Sequence, residues 1–489
     1  FIEKKNIDYT YSFKKNRLSL ASCNMKDFGN KVLNFDWNDE IFARIFLFLK
    51  EKTDKNIFYY NHSTNSSNKK NKNINNYKYS IKFINYVKRK INEKNNYFLF
   101  NTYVGNFKNR IKLSFKLGEI PIRNNEKLPK IPLKHDLTLR KKLSSLLEKN
   151  ISDDFKKNII KWLLPECLPS FYFEEFRNIL KYLEKSSFPL NKKTIVTANC
   201  WGDSLFKYWI ACQSNQGSKI LLLQHGGGYG VIKSLTQEKH EIDICDKYYS
   251  WGWSNNKKIY PGMIFQSLPA KIKAKSKNIL LVTGTLDYFQ WTNDYLYSIE
   301  KENEPSKKSF FWAVNFIEEM LNNISIPDKY NKIEIKLHPI QEKRGSPYSL
   351  KNEIENRFPK LKFSKYQRES VIDIIHYYDL IIFAYPFATP FFHCLALRKP
   401  AIAFSPLDKN YIRDDARSYF QKMVDFGLYY DQPNKCAEFV NKNFNNFSEW
   451  EGSLRKKTLE FVKRYANFNR DNQLDNLKDF IKSNKLNDS

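Results

Sequence analysis

The sequence predicts an α/β fold with two parallel, doubly wound sheets in tandem, and two observations support this prediction. Short apolar runs alternate with amphipathic helical segments from about residue 194 to residue 404. Strands that are apolar on both faces are typical of parallel sheets covered by helices on each side. A lysine-rich stretch at 271–277, with the composition of a linker, divides the strands into two series.

Composition limits the partners that this chain can have. The 489 residues include 82 Lys and Arg against 52 Asp and Glu, a net charge of +30, and 42% of them are hydrophobic. This content is enough for a large folded interior, and the charge attracts anions. Because lysine is spread over nearly every segment instead of forming one stripe, nucleic acid is disfavoured. Nucleotides, phosphorylated glycans or an anionic membrane leaflet fit the charge.

Cysteine usage and hydropathy indicate the compartment. The seven cysteines are far apart and form no CxxC pair, which argues against a zinc ribbon or a disulfide framework and favours a reducing cytoplasm. No run of about 18 apolar residues occurs, so no membrane span is expected. The predicted location is the cytoplasm. Peripheral contact with the inner face of the cytoplasmic membrane is compatible with this prediction.

The first series follows the order strand, helix, strand. Apolar runs at 194–198 and 219–224 flank a helical segment at 203–213, and a crossover of this length makes a parallel pair. Upstream, helical spacing is present at 41–49 and 153–184, separated by an insertion of Asn, Ser and Lys at about 63–76.

The second series alternates strands and helices in the same way. The expected strands are 279–282, 333–337, 380–383 and 401–404, and the expected helices are 310–324, 371–378 and 390–397. We therefore expect an N-terminal domain over 1–270, a C-terminal domain over 271–450, and polar helices over 451–489 that return to the first domain.

Open parallel sheets bind ligands beyond the carboxyl ends of their strands, so the residues at these ends are the first candidates. His338 ends one strand and Pro339 stops it, which leaves an imidazole that can donate to a phosphate or transfer a proton; capping of the strand is the alternative. Thr389 before a proline predicts a helix N-cap beside Ala388, and an anion site at that helix start; a cap alone is the alternative.

Two further segments follow strands. Thr283, Gly284 and Thr285 can offer hydroxyls and a close backbone to a phosphate or ribose, although a simple turn also explains them. The segment 224–230, Gln-His-Gly-Gly-Gly-Tyr-Gly, has four glycines in five positions. Close approach of the backbone to a ligand would explain the glycines, which makes Gly226 and Gly227 candidates for donor binding and His225 a candidate for chemistry. The spacing does not match a dinucleotide fingerprint.

Several acids could act as a general base in the first domain. Asp203, Glu238, Glu241 and Asp243 lie near these segments, and spacing does not select one of them. No HExxH motif or second histidine at a metal-ligand interval occurs, so no metal site is expected. The aromatic run at 248–253 is more typical of a strand core than of a sugar-binding platform.

Four segments of the chain form a recognisable set. They are 199–209 (Asn-Cys-Trp-Gly-Asp-Ser-Leu-Phe-Lys-Tyr-Trp), 224–230, the pair His240-Glu241, and 246–253 (Asp-Lys-Tyr-Tyr-Ser-Trp-Gly-Trp). Together they resemble a family of transferases encoded in bacterial O-antigen and capsule gene clusters. The resemblance covers about residues 150 to 430.

The second half resembles the nucleotide-sugar domain of a GT-B glycosyltransferase, a fold of two Rossmann-like domains facing a cleft. Lys-Leu-His-Pro at 336–339 is similar to the HP motif of bacterial sialyltransferases and Kdo transferases, which implies that His338 and Pro339 meet the phosphate of a CMP-sugar. The second motif of those families is a Ser/Thr pair at a helix start. Here it is Ala388-Thr389, so one hydroxyl is missing and UDP or GDP donors stay open.

The resemblance implies a metal-independent glycosyltransferase that uses a nucleotide-sugar as donor substrate, without a separate cofactor. The CMP-sugar of a nonulosonic or other ulosonic acid is the favoured donor, and a surface-polysaccharide or lipopolysaccharide precursor, which can be lipid-linked, is the acceptor. The alternatives are a UDP- or GDP-sugar transferase, an epimerase or phosphotransferase on the same scaffold, and a non-catalytic anion- or glycan-binding protein.

Overall fold

The computed structural model describes most of the chain from residue 78 onward. The described ranges are 78–122, 136–149, 154–265, 278–284, 305–338, 350–404 and 412–485, apart from 106, 192, 201, 202, 234, 386 and 470, together with short pieces before residue 78. The predicted insertion at 63–76, the linker at 271–277 and most of the predicted helix at 41–49 lie outside these residues.

The chain divides into two compact units. The first consists of Phe1–Asn96, Ile122–Lys193 and Cys200–Ser218, and the second of Tyr97–Pro121, Thr194–Asn199 and Lys219–Ser489. The second unit contains both large sheets. The domain boundaries expected at residues 270 and 450 stay predictions.

The N-terminal sheet has five parallel strands whose spatial order follows the chain. Its central strands β4 and β5 are buried, except for Lys219 at the start of β5, and their central side chains are apolar on both faces. The strands are β3 (Tyr97–Phe100), β4 (Thr194–Thr197), β5 (Lys219–Leu223), β6 (Lys247–Ser250) and β7 (Ile259–Pro261). A separate parallel pair, β1 (Thr10–Phe13) with β2 (Ile57–Tyr60), belongs to the first unit.

The C-terminal sheet has six parallel strands in the order β10-β9-β8-β11-β12-β13. After β8 the chain adds β9 and β10 on one side of it, and then adds β11, β12 and β13 on the other side. The strand order therefore reverses between β8 and β11. The strands are β8 (Ile279–Val282), β9 (Ile333–Lys336), β10 (Lys362–Phe363), β11 (Leu380–Phe383), β12 (Ala401–Phe404) and β13 (Tyr429–Tyr430). The predicted α/β class with two parallel sheets is confirmed.

Helices connect the strands of the second unit. Those before β11 are α2 (Phe107–Leu117), α7 (Thr236–Ile244), α8 (Pro305–Asn323), α9 (Lys329–Lys332), α10 (Leu350–Arg357) and α11 (Val371–Ile374), which continues as a 3₁₀ turn at Ile375–Tyr377. Those after β11 are α12 (Thr389–Ala396), α13 (Arg417–Asp425), α14 (Pro433–Asn443), α15 (Phe447–Leu454), α16 (Leu459–Tyr465) and α17 (Gln473–Ser483).

The last helix, α17, packs against the N-terminal sheet. Phe480 and Leu477 lie in the same buried cluster as Tyr249 of β6 and Val196 of β4. The Tyr249 hydroxyl donates to the side-chain oxygen of Asn476 at 2.7 Å. The end of the chain therefore completes the core of a sheet that begins near residue 97.

Apart from the β1–β2 pair, the described part of the first unit consists mainly of helices. Its helices are α1 (Lys78–Lys94), α3 (Leu137–Glu148), α4 (Phe155–Cys167), α5 (Phe176–Leu183) and α6 (Ser204–Asn215). Part of its core is the Trp209 ring, which stacks with the rings of Phe188 and Phe206. Arg140 is buried and bonds to Glu174 at 2.6 Å and to the Pro165 carbonyl oxygen at 2.6 Å, so its charge is compensated inside the unit.

All seven cysteines are free thiols. Within the described ranges, none of the helices combines the length and the apolar character that a membrane crossing requires.

Replacing Phe480 with Ala removes a buried ring and leaves a cavity between α17 and β6. We expect Phe480→Ala to lower the free energy of unfolding by about 3–5 kcal/mol in urea titrations. The matched control is Phe115→Ala on the exposed face of α2, which should change it by about 0.5 kcal/mol or less. Equal effects of the two substitutions would contradict the packing of α17 on this sheet.

Candidate active site

The candidate residues follow the carboxyl ends of strands in both sheets. In the N-terminal sheet, Asn199 follows β4 and His225 follows β5. In the C-terminal sheet, Thr283 follows β8, His338 follows β9 and Ala384 follows β11. Thr283 and Ala384 therefore flank the point where strand order reverses, which is the position where open parallel sheets bind ligands.

Thr283 holds the backbone at His338. The His338 amide donates to the Thr283 hydroxyl oxygen at 3.2 Å, and the Thr283 amide donates to the Lys336 carbonyl oxygen at 3.0 Å. The Thr283 side chain is buried, so it positions the strand end. His338 is half-buried, and burial lowers the pKa of its imidazole. Gly284 is also half-buried, whereas Thr285 and Pro339 lie outside the described residues.

Helix α12 begins one residue earlier than the sequence predicts. Its N-cap is Ala388, and Thr389 is the first helical residue, so the prediction of a Thr389 N-cap is wrong. Proline is tolerated within the first helical turn, which is why Pro390 permits this shift. Phe391 donates its amide to the Ala388 carbonyl oxygen at 2.9 Å, and Pro390 has no amide hydrogen. The Thr389 amide is therefore the donor that this turn can offer to an anion.

The Thr389 hydroxyl joins the two sheets. Its oxygen accepts a hydrogen bond from the Gly227 amide at 3.3 Å, across 162 residues of sequence. A side chain at Gly227 would put its Cβ 2.5 Å from the ring of Phe392 and 2.7 Å from the Phe387 carbonyl oxygen. The loop after β5 thus touches the start of α12, and only a glycine fits at this position.

Close approach to other protein groups also accounts for the neighbouring glycines. A Cβ at Gly228 would lie 2.6 Å from Ile232, and a Cβ at Gly230, whose φ is +75°, would lie 2.5 Å from the Trp253 ring. At Gly226 the nearest atom would be in the Tyr229 ring, at 2.9 Å. These side chains offer a second explanation for the glycines, and close approach to a ligand stays a prediction.

Gln224 connects the glycine-rich loop to the Trp-Gly-Trp segment. Its side-chain oxygen accepts from the Trp251 amide and from the Trp253 indole nitrogen, both at 2.8 Å, and its side-chain nitrogen donates to the Gly226 carbonyl oxygen at 2.8 Å. All of these contacts are at least partly buried, so the two motifs form one rigid element.

Glu238 forms a second connection between the two halves of this unit. It accepts from the Gly230 amide at 2.6 Å and from Arg413 at 2.9 Å, while Ile232 and Ile412 form an antiparallel bridge. Burial raises the pKa of the Glu238 carboxyl to about 6, although Gly230 and Arg413 act in the opposite direction. Its oxygens are occupied by these partners, which makes Glu238 a structural group in this geometry.

His225 lies between a carboxylate and two tyrosines. Its Nδ1 is 3.8 Å from Oε1 of Glu241, and its Nε2 is 3.4 Å from the Tyr229 hydroxyl. Glu241 is only 1% exposed. Burial lowers the pKa of His225 to about 4, with the Ala198 backbone acting in the opposite direction. At neutral pH the imidazole is therefore uncharged and able to accept a proton.

The other predicted acids are engaged elsewhere. Asp203 caps α6 by accepting from the amides of Leu205 and Phe206 at 3.0 and 2.9 Å, and it belongs to the first unit. Asp243 is exposed and pairs with Lys239 at 2.6 Å. Of the predicted acids, Glu241 is the one that adjoins His225. Within the described ranges, no cluster of three or more His, Cys, Asp or Glu side chains is placed to hold a metal ion.

Two residues near these candidates were not anticipated from sequence. Tyr103 has a φ of +49°, its ring lies 6.1 Å from that of His225, and its hydroxyl accepts from the Asn199 side chain at 3.2 Å. Arg413 holds Glu238 from 175 residues away. An unusual φ and a distant ion pair leave no local pattern in a sequence, so no signal could have identified either residue.

The site combines two half-buried histidines at the carboxyl edges of two joined parallel sheets, an arrangement suited to a two-substrate reaction. The chain belongs to the LIC12162 family of transferases, whose sequence profile matches residues 1–481. No curated protein matches it significantly.

Solved structures give weak similarities. The wall teichoic acid polymerase TagF is 12% identical, with 63% of this chain and 84% of that chain covered and a TM-score of 0.30. A TagF variant soaked with CDPG is 12% identical, with 63% and 75% covered and a TM-score of 0.34. An O-GlcNAc transferase mutant from Thermobaculum terrenum is 10% identical, with 65% of each chain covered and a TM-score of 0.30.

Substituting Gly227 with Ala should disturb the contact between the loop and α12. Because the added methyl group would overlap Phe392 and the Phe387 carbonyl, we expect a loss of about 1–3 kcal/mol in the free energy of unfolding. Gly452→Ala in α15, where a Cβ meets nothing within 4 Å, is the control and should be neutral or stabilising by up to about 1 kcal/mol. The contact is disproved if both variants are equally stable.

The lowered pKa of His225 makes stability depend on pH. Between its ordinary value of 6.5 and about 4 the unfolded chain binds a proton that the folded chain does not. Stability from this group is therefore complete above about pH 6.5 and is lost as the pH falls towards 4. From this pKa shift, we expect the free energy of unfolding of the wild type to fall by about 3 kcal/mol more than that of His225→Gln between pH 7 and pH 4. Parallel pH profiles of unfolding for the two proteins would contradict a buried, neutral imidazole.

Proposed function

We propose that this transferase is a glycosyltransferase that moves a sugar from a nucleotide donor to the precursor of a surface glycan. The observation that carries the proposal is the contact of the loop after β5 with the start of α12. It joins the carboxyl edges of two parallel sheets, one bearing His225 and the other bearing His338. One edge can bind the acceptor while the other binds the donor.

The donor phosphate binds at the C-terminal sheet in this proposal. His338 donates a hydrogen bond to it from a ring nitrogen, and the Thr389 amide at the start of α12 adds a second donor with the positive end of the helix dipole. These groups stabilise the charge that builds up on the leaving phosphate as the glycosidic bond breaks. Ala388 and Gly284 contribute backbone and no hydroxyl at this edge.

The acceptor hydroxyl loses its proton to His225. Its neutral imidazole is the proton acceptor, and buried Glu241 at 3.8 Å stabilises the imidazolium that forms. This assignment follows from the environments of the other candidates, because Glu238 is occupied by Arg413 and Gly230, and Asp203 by the helix that it caps.

A CMP-sugar of an ulosonic acid stays the favoured donor, with UDP- and GDP-sugars as alternatives because Ala388 replaces one expected hydroxyl. The mechanism needs no metal in this proposal, since the start of α12 and the positive charge of the chain attract the phosphate, and His338 donates a hydrogen bond to it. The acceptor is a lipopolysaccharide or capsule precursor at the inner face of the cytoplasmic membrane.

The first test is the melting temperature of the pure protein with CMP, UDP, GDP and their sugars. The nucleotide of the true donor should raise it, because a ligand that binds only the folded state stabilises that state. With that donor and a glycan acceptor, His338→Ala should lower kcat by about 100- to 1000-fold, since one phosphate donor is lost.

His376→Ala is the matched control, because His376 precedes β11 at the amino edge of the same sheet, and it should keep kcat within about threefold. If none of the nucleotides shifts the melting temperature, a glycan-binding protein is favoured. Consumption of the donor without an acceptor indicates an epimerase, and transfer of a phosphate group indicates a phosphotransferase. Unchanged turnover by His338→Ala would remove His338 from the reaction.

A further inference from the structure

We infer that the exposed face of α2 (Phe107–Leu117) is a docking surface for an anionic membrane. One side of this helix is used in the fold. Leu113, Ser114 and Leu117 are buried, and the two leucines belong to the same core cluster as Phe480 of α17. Lys116 is paired with Asp475 of α17 at 2.7 Å. The helix is therefore held firmly on the sheet by one face.

The opposite side presents apolar and basic residues together. Phe107 is 53% exposed and Phe115 is 66% exposed, and with the partly exposed Ile111 they follow a four-residue spacing that forms one stripe. Lys108 and Lys112, each one residue after Phe107 and Ile111, are exposed and form a second stripe beside the apolar one. The apolar stripe is about 12 Å long and the two lysines span about 6 Å, from a rise of 1.5 Å per residue.

No negative charge balances this surface within α2. The helix contains four basic residues and no acidic one, and only Lys116 has an acidic partner among the described residues. The Arg110 guanidinium lies 5.8 Å from the Phe107 ring, so charge and aromatic surface are in contact. Aromatic side chains flanked by lysines on one face of a helix are typical of helices that lie in the interface of an anionic leaflet.

The position of α2 relative to the candidate site favours a membrane over other anionic partners. The helix starts just after the turn that holds Tyr103, whose ring adjoins that of His225. Docking through Phe107 would place the acceptor edge of the N-terminal sheet next to the lipid surface. This part of the argument rests on the proposed function, in which the acceptor is lipid-linked.

The test is partition of the full chain onto vesicles of phosphatidylcholine with and without 30 mol% phosphatidylglycerol, measured by co-sedimentation in about 0.15 M salt. We expect the wild type to bind only the anionic vesicles. The double substitution Lys108→Glu and Lys112→Glu should weaken partition by about 30-fold or more, because each lysine near such a surface contributes about fivefold to binding. Phe107→Ser with Phe115→Ser, at unchanged net charge, should weaken it by about tenfold or more.

The matched control is Lys456→Glu with Lys457→Glu, which changes the net charge equally at two exposed lysines near the end of α15. It should keep vesicle binding within about threefold, and all variants should have wild-type melting temperatures. An equal loss in this control would overturn the inference by showing that net charge alone drives binding. A second result would also overturn it: the α2 charge variant binds a single-stranded oligonucleotide more weakly while its vesicle binding is unchanged. That result would identify a nucleic-acid surface. Partition needs no donor or turnover, so it can succeed or fail independently of the glycosyltransferase proposal.

Discussion

The architecture of the candidate site depends on one close contact, in which a backbone without a side chain meets the first turn of a helix. The Gly227 amide donates to Thr389, and the space between the loop and Phe392 is too small for a Cβ. Since Gln224 fixes the loop to Trp251 and Trp253, the loop cannot move away without breaking several buried hydrogen bonds. The carboxyl edges of the two sheets are therefore held together by the protein itself, without a ligand.

The histidines of the two edges have the same charge state but different proposed roles. Both histidines have lowered pKa values because of burial, so both are neutral in a chain that carries a large positive charge. Neutral His225 can accept a proton. Neutral His338 can donate a hydrogen bond, but this bond alone does not select one anion over another. The attraction of anions then comes from the many lysines and from the start of α12. Selectivity for a particular donor would have to come from the groups around its base and sugar.

The sequence predicted the sheets better than it predicted the contacts. Apolar runs marked β4, β5, β8, β9, β11 and β12 within a residue or two, because buried parallel strands have a strong local pattern. It missed β3, whose partner β4 lies 97 residues later, the β1–β2 pair, the three-residue strand β7, and the two-residue strands β10 and β13. The cap of α12 was misplaced by one residue because the Thr389 hydroxyl bonds to a distant glycine, and tertiary partners of this kind override local preference. The glycines were recognised as unusual, but their neighbours could not be inferred.

In the proposed function, the joined edges form the binding site for the donor. A crystal structure of the chain with the nucleotide that stabilises it would test this most directly. We expect density for the phosphate within hydrogen-bonding distance of a His338 ring nitrogen and of the Thr389 amide, with the sugar directed towards His225. A nucleotide bound away from both carboxyl edges, with His338 and Thr389 in contact only with protein, would contradict it.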